Sequence, residues 1–431
     1  MSAFCAPAGN ANSAVKTSSL TIPGAYHSSP KFGLGARRSL KYKSVTKTYS
    51  RGRSLGIGLA CAAIALLWQF LTVHANYQSK WNALFGTGTK LKVPPALASE
   101  HIYLFAGSFG YDGEMYHYIA HDPFLQRGFE TYLDAPRMRY RRILVPLAAH
   151  VLALGRDKWI DGAYIGVILI AIFCGGFWLS AYSSMLGLSA AYGLTFLLIP
   201  ATLISIDRLT VDVALAALCI AFALFTARGS PAAIYGVLAA ATLVRETGFL
   251  LLLGFAIWLA FHRQLKRAVA FLSAAVPALA WYLFVQLRTR PDHFSVFSLL
   301  PFQGLAERLA NPYRYPFAFW INVLSTFLDY AALAGIVVGV ALAVRMAWRR
   351  EWAPLDACIY LFALLAVFLY APAGWEEVYA FGRTLSPLLV LLACKGLAQR
   401  QWNFFLPLAL IVPRVAIQFE PQIYGVLRYI I

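Results

Sequence analysis

The chain has 431 residues, 60% of them hydrophobic and 13% charged, with a mean hydropathy of +0.62. Water-soluble domains carry about a quarter charged residues, so this composition excludes an ordinary soluble enzyme. The formal charge is +18, from 37 Lys and Arg against 19 Asp and Glu, and it is uneven: residues 1–99 hold 12 basic residues and no acid, and Glu100 is the first carboxylate.

Residues 1–54 are rich in Ser, Gly, Ala and Lys/Arg without apolar periodicity, a composition that predicts a disordered basic tail. Its few aromatics, Tyr26, Tyr42 and Tyr49, give no interleaved stacking pattern, so no nucleic-acid partner is expected. The run Leu55 to Val73 approaches the ~20 residues that cross a bilayer. Val73-His74-Ala75 loosely resembles a signal-peptide cleavage site. A 54-residue leader is far too long for a signal peptide's n-region, which favours an uncleaved anchor. Nine basic residues and no acid ahead of it place the N-terminus in the cytoplasm.

Residues 75–142 follow as the longest polar stretch and, with the N-terminus inside, form a first extracytoplasmic loop holding Glu100, Asp112, Glu114, Asp122, Glu130 and Asp134. Apolar runs then occupy roughly 160–181, 188–204, 209–226, 231–262, 268–288, 317–345, 355–372, 379–397 and 403–418, with a second polar loop at 289–316. The fold expected over 55–431 is all-α, a polytopic membrane domain of about 10–12 transmembrane or re-entrant helices. Trp159, Trp348, Trp352 and Trp402 sit at run ends, as in an aromatic belt. The cysteines Cys5, Cys61, Cys174, Cys219, Cys358 and Cys394 show no metal or disulfide spacing and read as small packing residues.

The basic connectors 262–267 and 345–350 belong inside, and two schemes satisfy them. Either 143–155 crosses and 231–262 is one long span, or 143–155 is re-entrant and 231–262 breaks at Arg245-Glu246. A charged pair in mid-helix costs several kcal/mol in lipid, so the broken form is preferred. It sets Arg245, Glu246, Asp207 and Asp212 near the external face.

Ionisable residues in apolar surroundings mark candidate sites. The densest set is Gly110-Tyr111-Asp112-Gly113-Glu114-Met115-Tyr116, then His117, His121-Asp122 and the arginines Arg137, Arg139, Arg141 and Arg142. Gly110 and Gly113 let backbone approach a ligand. Asp112 and Glu114 share a face in extended backbone and diverge in a helix. A positioned carboxylate accepts a proton from an attacking hydroxyl, and clustered guanidinium groups clamp a phosphate. A solvated acidic loop and an interfacial arginine anchor are the plainer alternatives. No cofactor is expected; a divalent metal is the alternative, because Asp112, Glu114, His117 and His121 mix carboxylates with imidazoles, although their spacing matches no metal motif.

The strings GYDGEMYHYIAHDPF and DAPRMRYRRILVPLAAHVLALG resemble the first external loop of polytopic GT-C glycosyltransferases. They are most similar to bacterial membrane proteins related to the GPI-mannosyltransferase group, with its aromatic-Asp-Gly-x-x-Tyr…Ile-Ala pattern. IPATLISIDRLTVDVAL, TLVRETGFLLL and GRTLSPLLVLL resemble the same group, over residues of roughly 55–400, with the loop motif as the specific part. The resemblance implies an inverting hexosyltransferase of cell-envelope synthesis in the bacterial inner membrane, with an extracytoplasmic active site. Its donor would be a polyprenyl-phosphate sugar, mannose-like as the first expectation, and its acceptor a glycan, lipid or protein. The acid carries over to Asp112 first and Glu114 second; the group's commoner residue at this second position is Gln.

On this reading Asp112 takes the acceptor proton, with Glu114 as the alternative base. Arg139, Arg141, Arg142, Arg245 and Arg383 bind the donor phosphate, and Glu246 orients Arg245. Tyr111, Tyr116 and Trp375 are expected either to stack on sugar faces or to serve interfacial packing, with Asp122 and Asp212 in support. A helix cap and a local ion pair explain Asp207 and Asp212 without function; acceptor contact is the alternative. The runner-up function is a transporter or flippase of a lipid-linked or anionic solute, a reading weakened by the absence of visible repeats. A third is a scaffold subunit whose loop docks a partner.

Overall fold

A computed structural model of the chain describes residues 50–292, 297–313, 315, 319–370, 374–375 and 377–431. The tail expected over 1–54, with Cys5, Tyr26, Tyr42 and Tyr49, falls outside the described residues but for its last five positions. The loop at 289–316 is described in part.

Helix accounts for 77% of the described residues, and no strand occurs among them. α1 (Arg51–Asn76) begins where the Ser50 hydroxyl accepts the Arg53 N–H at 3.4 Å, and at 26 residues it outreaches a hydrocarbon core of about 30 Å. The polar stretch after it is not an open loop. It contains single turns at Trp81–Phe85 and Pro95–Glu100, then α2 (Asp112–His121) and α3 (Pro136–Arg141). The segments around Thr87 and Phe105 pair through Phe105 N–H to Thr87 O at 2.8 Å and Thr89 N–H to Phe105 O at 3.2 Å.

α4 (Leu144–Leu152) has only nine residues, too few to cross, and a tight turn leads into α5 (Asp157–Met185). α6 (Pro200–Arg208) and α7 (Asp212–Arg228) follow, then α8 (Pro231–Val244) and α9 (Gly248–Phe261). The break preferred at Arg245-Glu246 is present, with Arg245 fully extended at φ −159°, ψ 152°. Leaving the helix there frees the guanidinium to reach neighbouring elements, which a continuous span would not allow. α10 (Leu265–Leu272) runs on into α11 (Val276–Arg288), and α12 (Gln303–Ala310) precedes the 30-residue α13 (Phe319–Trp348). The chain closes with α14 (Pro354–Phe368), α15 (Val378–Thr384), α16 (Ser386–Gln399), α17 (Leu406–Ile417) and α18 (Glu420–Ile430).

Among the described residues four helical stretches, Arg51–Asn76, Asp157–Met185, Leu265–Arg288 and Phe319–Trp348, are long and apolar enough to cross a membrane, or up to seven if each of three bent pairs counts as one span. α8, α9 and α14 are apolar but shorter. The chain is thus all-helical with several candidate spans, and the long ones number four to seven where 10–12 spanning or re-entrant helices were expected. α5 packs against α1 and α7, α13 against α17, and α9 against α14. Outward faces stay apolar: Leu59 and Leu67 on α1, Leu283 and Leu287 on α11, and Trp320 and Phe327 on α13 are all exposed.

Charges inside this apolar body are paired, as burial demands. Asp329 of α13 accepts from Arg308 at 2.8 Å, Arg414 at 2.6 Å and the Tyr315 hydroxyl at 2.9 Å. Lys395 of α16 bridges Asp356 and Glu351, each at 2.6 Å. Hydropathy runs alone give no hint of these partners.

Candidate functional site: a carboxylate held by guanidinium groups

Asp112 opens α2, where the helix N-terminus favours an anion. Its carboxylate lies between two guanidinium groups from distant parts of the chain: Oδ1 is 2.9 Å from Arg139 Nη1, and Oδ2 is 2.5 Å from Arg383 Nη2. Burial alone would raise the Asp112 carboxyl, but Arg139 and Arg383 outweigh it and hold the group well below the usual carboxylate range. The side chain keeps 14% of its surface exposed, so the site is sheltered yet reachable.

The pairing continues outward. Arg139 forks onto Asp134 through Nε at 2.9 Å and Nη2 at 2.7 Å. Arg383 turns its Nη1 to Asp212 at 3.4 Å, and Asp212 also pairs with Arg245. Arg245 donates to the Thr384 hydroxyl at 3.0 Å. Arg142 donates Nε to Glu246 at 3.0 Å and Nη1 to the Tyr116 hydroxyl at 2.9 Å. Four guanidinium groups and the carboxylates of Asp112, Asp212 and Glu246 thus form one array built from α2, α3, α7, the α8–α9 break and α15. The Nε atoms of Arg245 and Arg383, Glu246 Oε1 and the Tyr111 hydroxyl are buried without a hydrogen-bond partner among the described residues. Native interiors leave few such atoms, so this unspent hydrogen-bonding capacity, two guanidinium N–H donors among it, marks a place where a ligand fits.

Most of the expected phosphate binders are therefore together. Arg141 stands apart, its guanidinium over the Tyr282 ring at 5.2 Å with Nε buried and unpartnered. Glu246 makes its ion pair with Arg142, and the carboxylate on Arg245 is Asp212. Glu246 still acts on the Arg245 charge from nearby, and Arg245 leaves the helix in extended backbone. Tyr111 lies under Arg383 at 5.0 Å and meets Tyr379 edge-on at 6.2 Å. Tyr116 lies 5.9 Å beneath Arg139. Trp375 is buried at 2% exposure and donates to Leu369 O at 2.9 Å, a packing role with no ring face free for a sugar.

Glu114 is not part of the array. Residues 112–121 are helical, so it points away from Asp112 and is fully buried, accepting Gly88 N–H at 3.1 Å and the Tyr118 hydroxyl at 2.9 Å. Burial raises its carboxyl, with the Gly88 and Tyr118 hydrogen bonds working against the rise. The two glycines stand where the chain packs closely. A Cβ on Gly113 would stand 2.3 Å from Arg208 O, and one on Gly110 (φ +78°) would fall on the Glu114 carboxylate. Asp122 organises its own turn, taking Gln126 N–H at 2.7 Å and Arg127 N–H at 2.8 Å. Asp207 accepts from Tyr379 at 3.4 Å and Gln422 at 3.1 Å and pairs with Arg208 at 3.3 Å, beside the array.

His117 and His121 face away from Asp112, and they meet Glu100 and Asp161 rather than Asp112 and Glu114. Burial pushes Glu100 up to about 7 and brings His121 down to about 4. Asp134, Thr384, Tyr282 and Asp161 were not singled out by sequence; only their positions in the fold bring them to a site. Among known proteins the chain matches no family model, no curated protein and no solved structure.

Proposed function

We propose that the chain is a polytopic membrane glycosyltransferase that moves a sugar from a polyprenyl-phosphate donor to an acceptor hydroxyl, with inversion and with Asp112 as general base. The observation that carries this reading is the Asp112 carboxylate clasped between Arg139 and Arg383 within an array of guanidinium groups that have donors to spare. Such an array suits a lipid phosphate, because guanidinium forks match phosphate oxygens and do not lose their charge.

The same clasp gives the order of events. With its two arginines in place Asp112 is a weak base. A donor phosphate arriving among Arg139, Arg142, Arg245 and Arg383 takes over part of their charge, and the carboxylate regains basicity as the acceptor comes in. The acceptor oxygen attacks the anomeric carbon, the bond from that carbon to the phosphate oxygen breaks, and Asp112 receives the hydroxyl proton. The phosphate leaves with its negative charge held by preorganised donors in a poorly hydrated cleft. A mannose-like sugar remains the first expectation; the acceptor is a glycan, lipid or protein of the cell envelope.

The apolar outer faces of α1, α11 and α13 suit lipid, and the acid-free N-terminal segment favours a cytoplasmic N-terminus with Asp112 on the extracytoplasmic side of a bacterial inner membrane. Single cysteines engineered at Ser108 and Arg263 test the topology: a membrane-impermeant thiol reagent should label the first and not the second in intact cells, and the reverse pattern inverts the proposal. For activity, purified protein is incubated with a panel of radiolabelled polyprenyl-phosphate sugars. Transfer or release of polyprenyl phosphate by the wild type, lost in Asp112→Asn, supports the reading. Binding without release across the panel favours the transporter or flippase, and a wild-type rate in Asp112→Asn overturns the assignment.

A further inference from the structure

The far end of α2 carries a second constellation that the transferase reading does not use. His117 and His121 are one turn apart on α2, so their imidazoles share a face, and their Nε2 atoms stand 3.2 Å from each other. Two bare imidazole nitrogens facing at that distance share at most one proton. Glu100, from the turn Pro95–Glu100, enters from one side with its oxygens 3.7 Å from His117 Nε2 and 3.4 Å from His121 Nε2. Both oxygens are buried and without a hydrogen-bond donor among the described residues. Asp161, in the second turn of α5, brings Oδ1 to 2.7 Å from His117 Nε2. The four ligand atoms lie within 4.8 Å of one another.

The separations of 3.2, 3.4 and 3.7 Å among His117, His121 and Glu100 are near those of a coordination shell, and the 2.7 Å His117–Asp161 contact is a hydrogen bond that an ion entering between them would open. Metal–nitrogen and metal–oxygen bonds of about 2.0–2.2 Å in a tetrahedron set ligand atoms about 3.3 Å apart. The outer shell has the usual form on the His121 side, whereas His117 Nδ1 is buried without a hydrogen-bond partner among the described residues. His121 turns its other nitrogen to Asp157 at 2.8 Å, and Asp157 is held in turn by Arg127 through two contacts of 2.8 and 3.0 Å. His117 is fixed by the Phe85 ring stacked on it at 4.0 Å and 14°. Charge agrees in sign: the carboxylates of Glu100, Asp157 and Asp161 gather around the two imidazoles, and Arg127 pairs with Asp157.

We infer that Glu100, His117, His121 and Asp161 bind one divalent transition-metal ion, zinc being the best match, which ties the Pro95–Glu100 turn and α2 to the start of α5. Two imidazoles with two carboxylates suit zinc or manganese rather than calcium or magnesium, which prefer oxygen alone. All four positions are supplied by the protein and both imidazoles are fully buried, so the ion is structural and holds α2, with Asp112 at its head, against α5. The inference does not depend on what Asp112 does, and its tests read metal rather than turnover.

The full-length protein, purified without a histidine tag, is assayed for metal by mass spectrometry as isolated, after chelation, and after reloading with Zn2+ or Mn2+. About one ion per chain is expected, with chelation lowering the unfolding temperature and reloading restoring it. Co2+ loading should give the visible absorption of a four-coordinate nitrogen and oxygen site. Asp161→Asn and His121→Asn should lose the ion, and Asp157→Asn should weaken affinity about 10- to 100-fold through His121. Wild-type protein that holds no stoichiometric metal and shows no shift with Zn2+ or Mn2+ overturns the inference, whatever the variants do. So does metal that stays bound at one ion per chain in Asp161→Asn and His121→Asn.

Discussion

The two faces of α2 differ in the sign of what surrounds them. At its N-terminus a carboxylate stands among guanidinium groups; one and a half turns on, two imidazoles stand among carboxylates. The first face has buried donors with nothing to donate to, which is the requirement for an anion. The second has buried acceptors with nothing to accept from, which is the requirement for a cation. One ten-residue helix thus separates a candidate reaction site from a candidate anchor, and residues adjacent in sequence serve opposite needs.

Substitutions that strike one face and spare the other sharpen this contrast. The largest expected effect is that of Asp112→Asn, which removes a base while keeping shape and should lower the transfer rate about 10^2- to 10^4-fold, with metal content unchanged. Equal turnover by wild type and variant in a single-turnover assay would break the contrast. Next comes Arg383→Ala, which withdraws one charge-assisted contact worth about 1.5–3 kcal/mol and should raise the donor KM roughly 10- to 100-fold. A purely structural arginine would instead lower the folded fraction and leave KM alone.

Glu114→Gln is a smaller change on the opposite side of the helix. Glutamine keeps one of two acceptors for Gly88 and Tyr118, so a stability loss of about 1 kcal/mol is expected, read as an earlier denaturant midpoint. Turnover per folded molecule should stay near wild type, and a collapse of turnover would return Glu114 to the reaction. The smallest effect is in pH. Asp112 is held below its unfolded range, so its ion pairs contribute fully above about pH 4 and are withdrawn only as pH falls below that. The stability gap between wild type and Asp112→Asn should be flat from pH 7 to 5 and narrow at lower pH; a gap that narrows on raising the pH contradicts the assignment.

Much of this frame was legible in the sequence. Composition and run lengths indicated an all-helical chain with several candidate spans. The cost of a charged pair in an apolar helix located the break at Arg245. Of the arginine-rich segment after Asp112, Arg139 lies against the Asp112 carboxylate. What sequence left open turned on backbone direction. Whether Asp112 and Glu114 share a face depends on whether 112–121 is helix or extended, and the helix separates them. Which carboxylate forms the ion pair with Arg245 turns on the φ and ψ of one residue. Asp161 sits 44 positions from His117, inside what reads as a membrane span, and no spacing rule connects the two.

The most direct test of the central claim is release of polyprenyl phosphate from a labelled polyprenyl-phosphate sugar by purified wild-type protein and by Asp112→Asn, each at matched folded concentration and with its metal content measured. The account predicts release by the wild type and at least a hundredfold less by the variant, with equal metal in both. Equal release from the two proteins would contradict it.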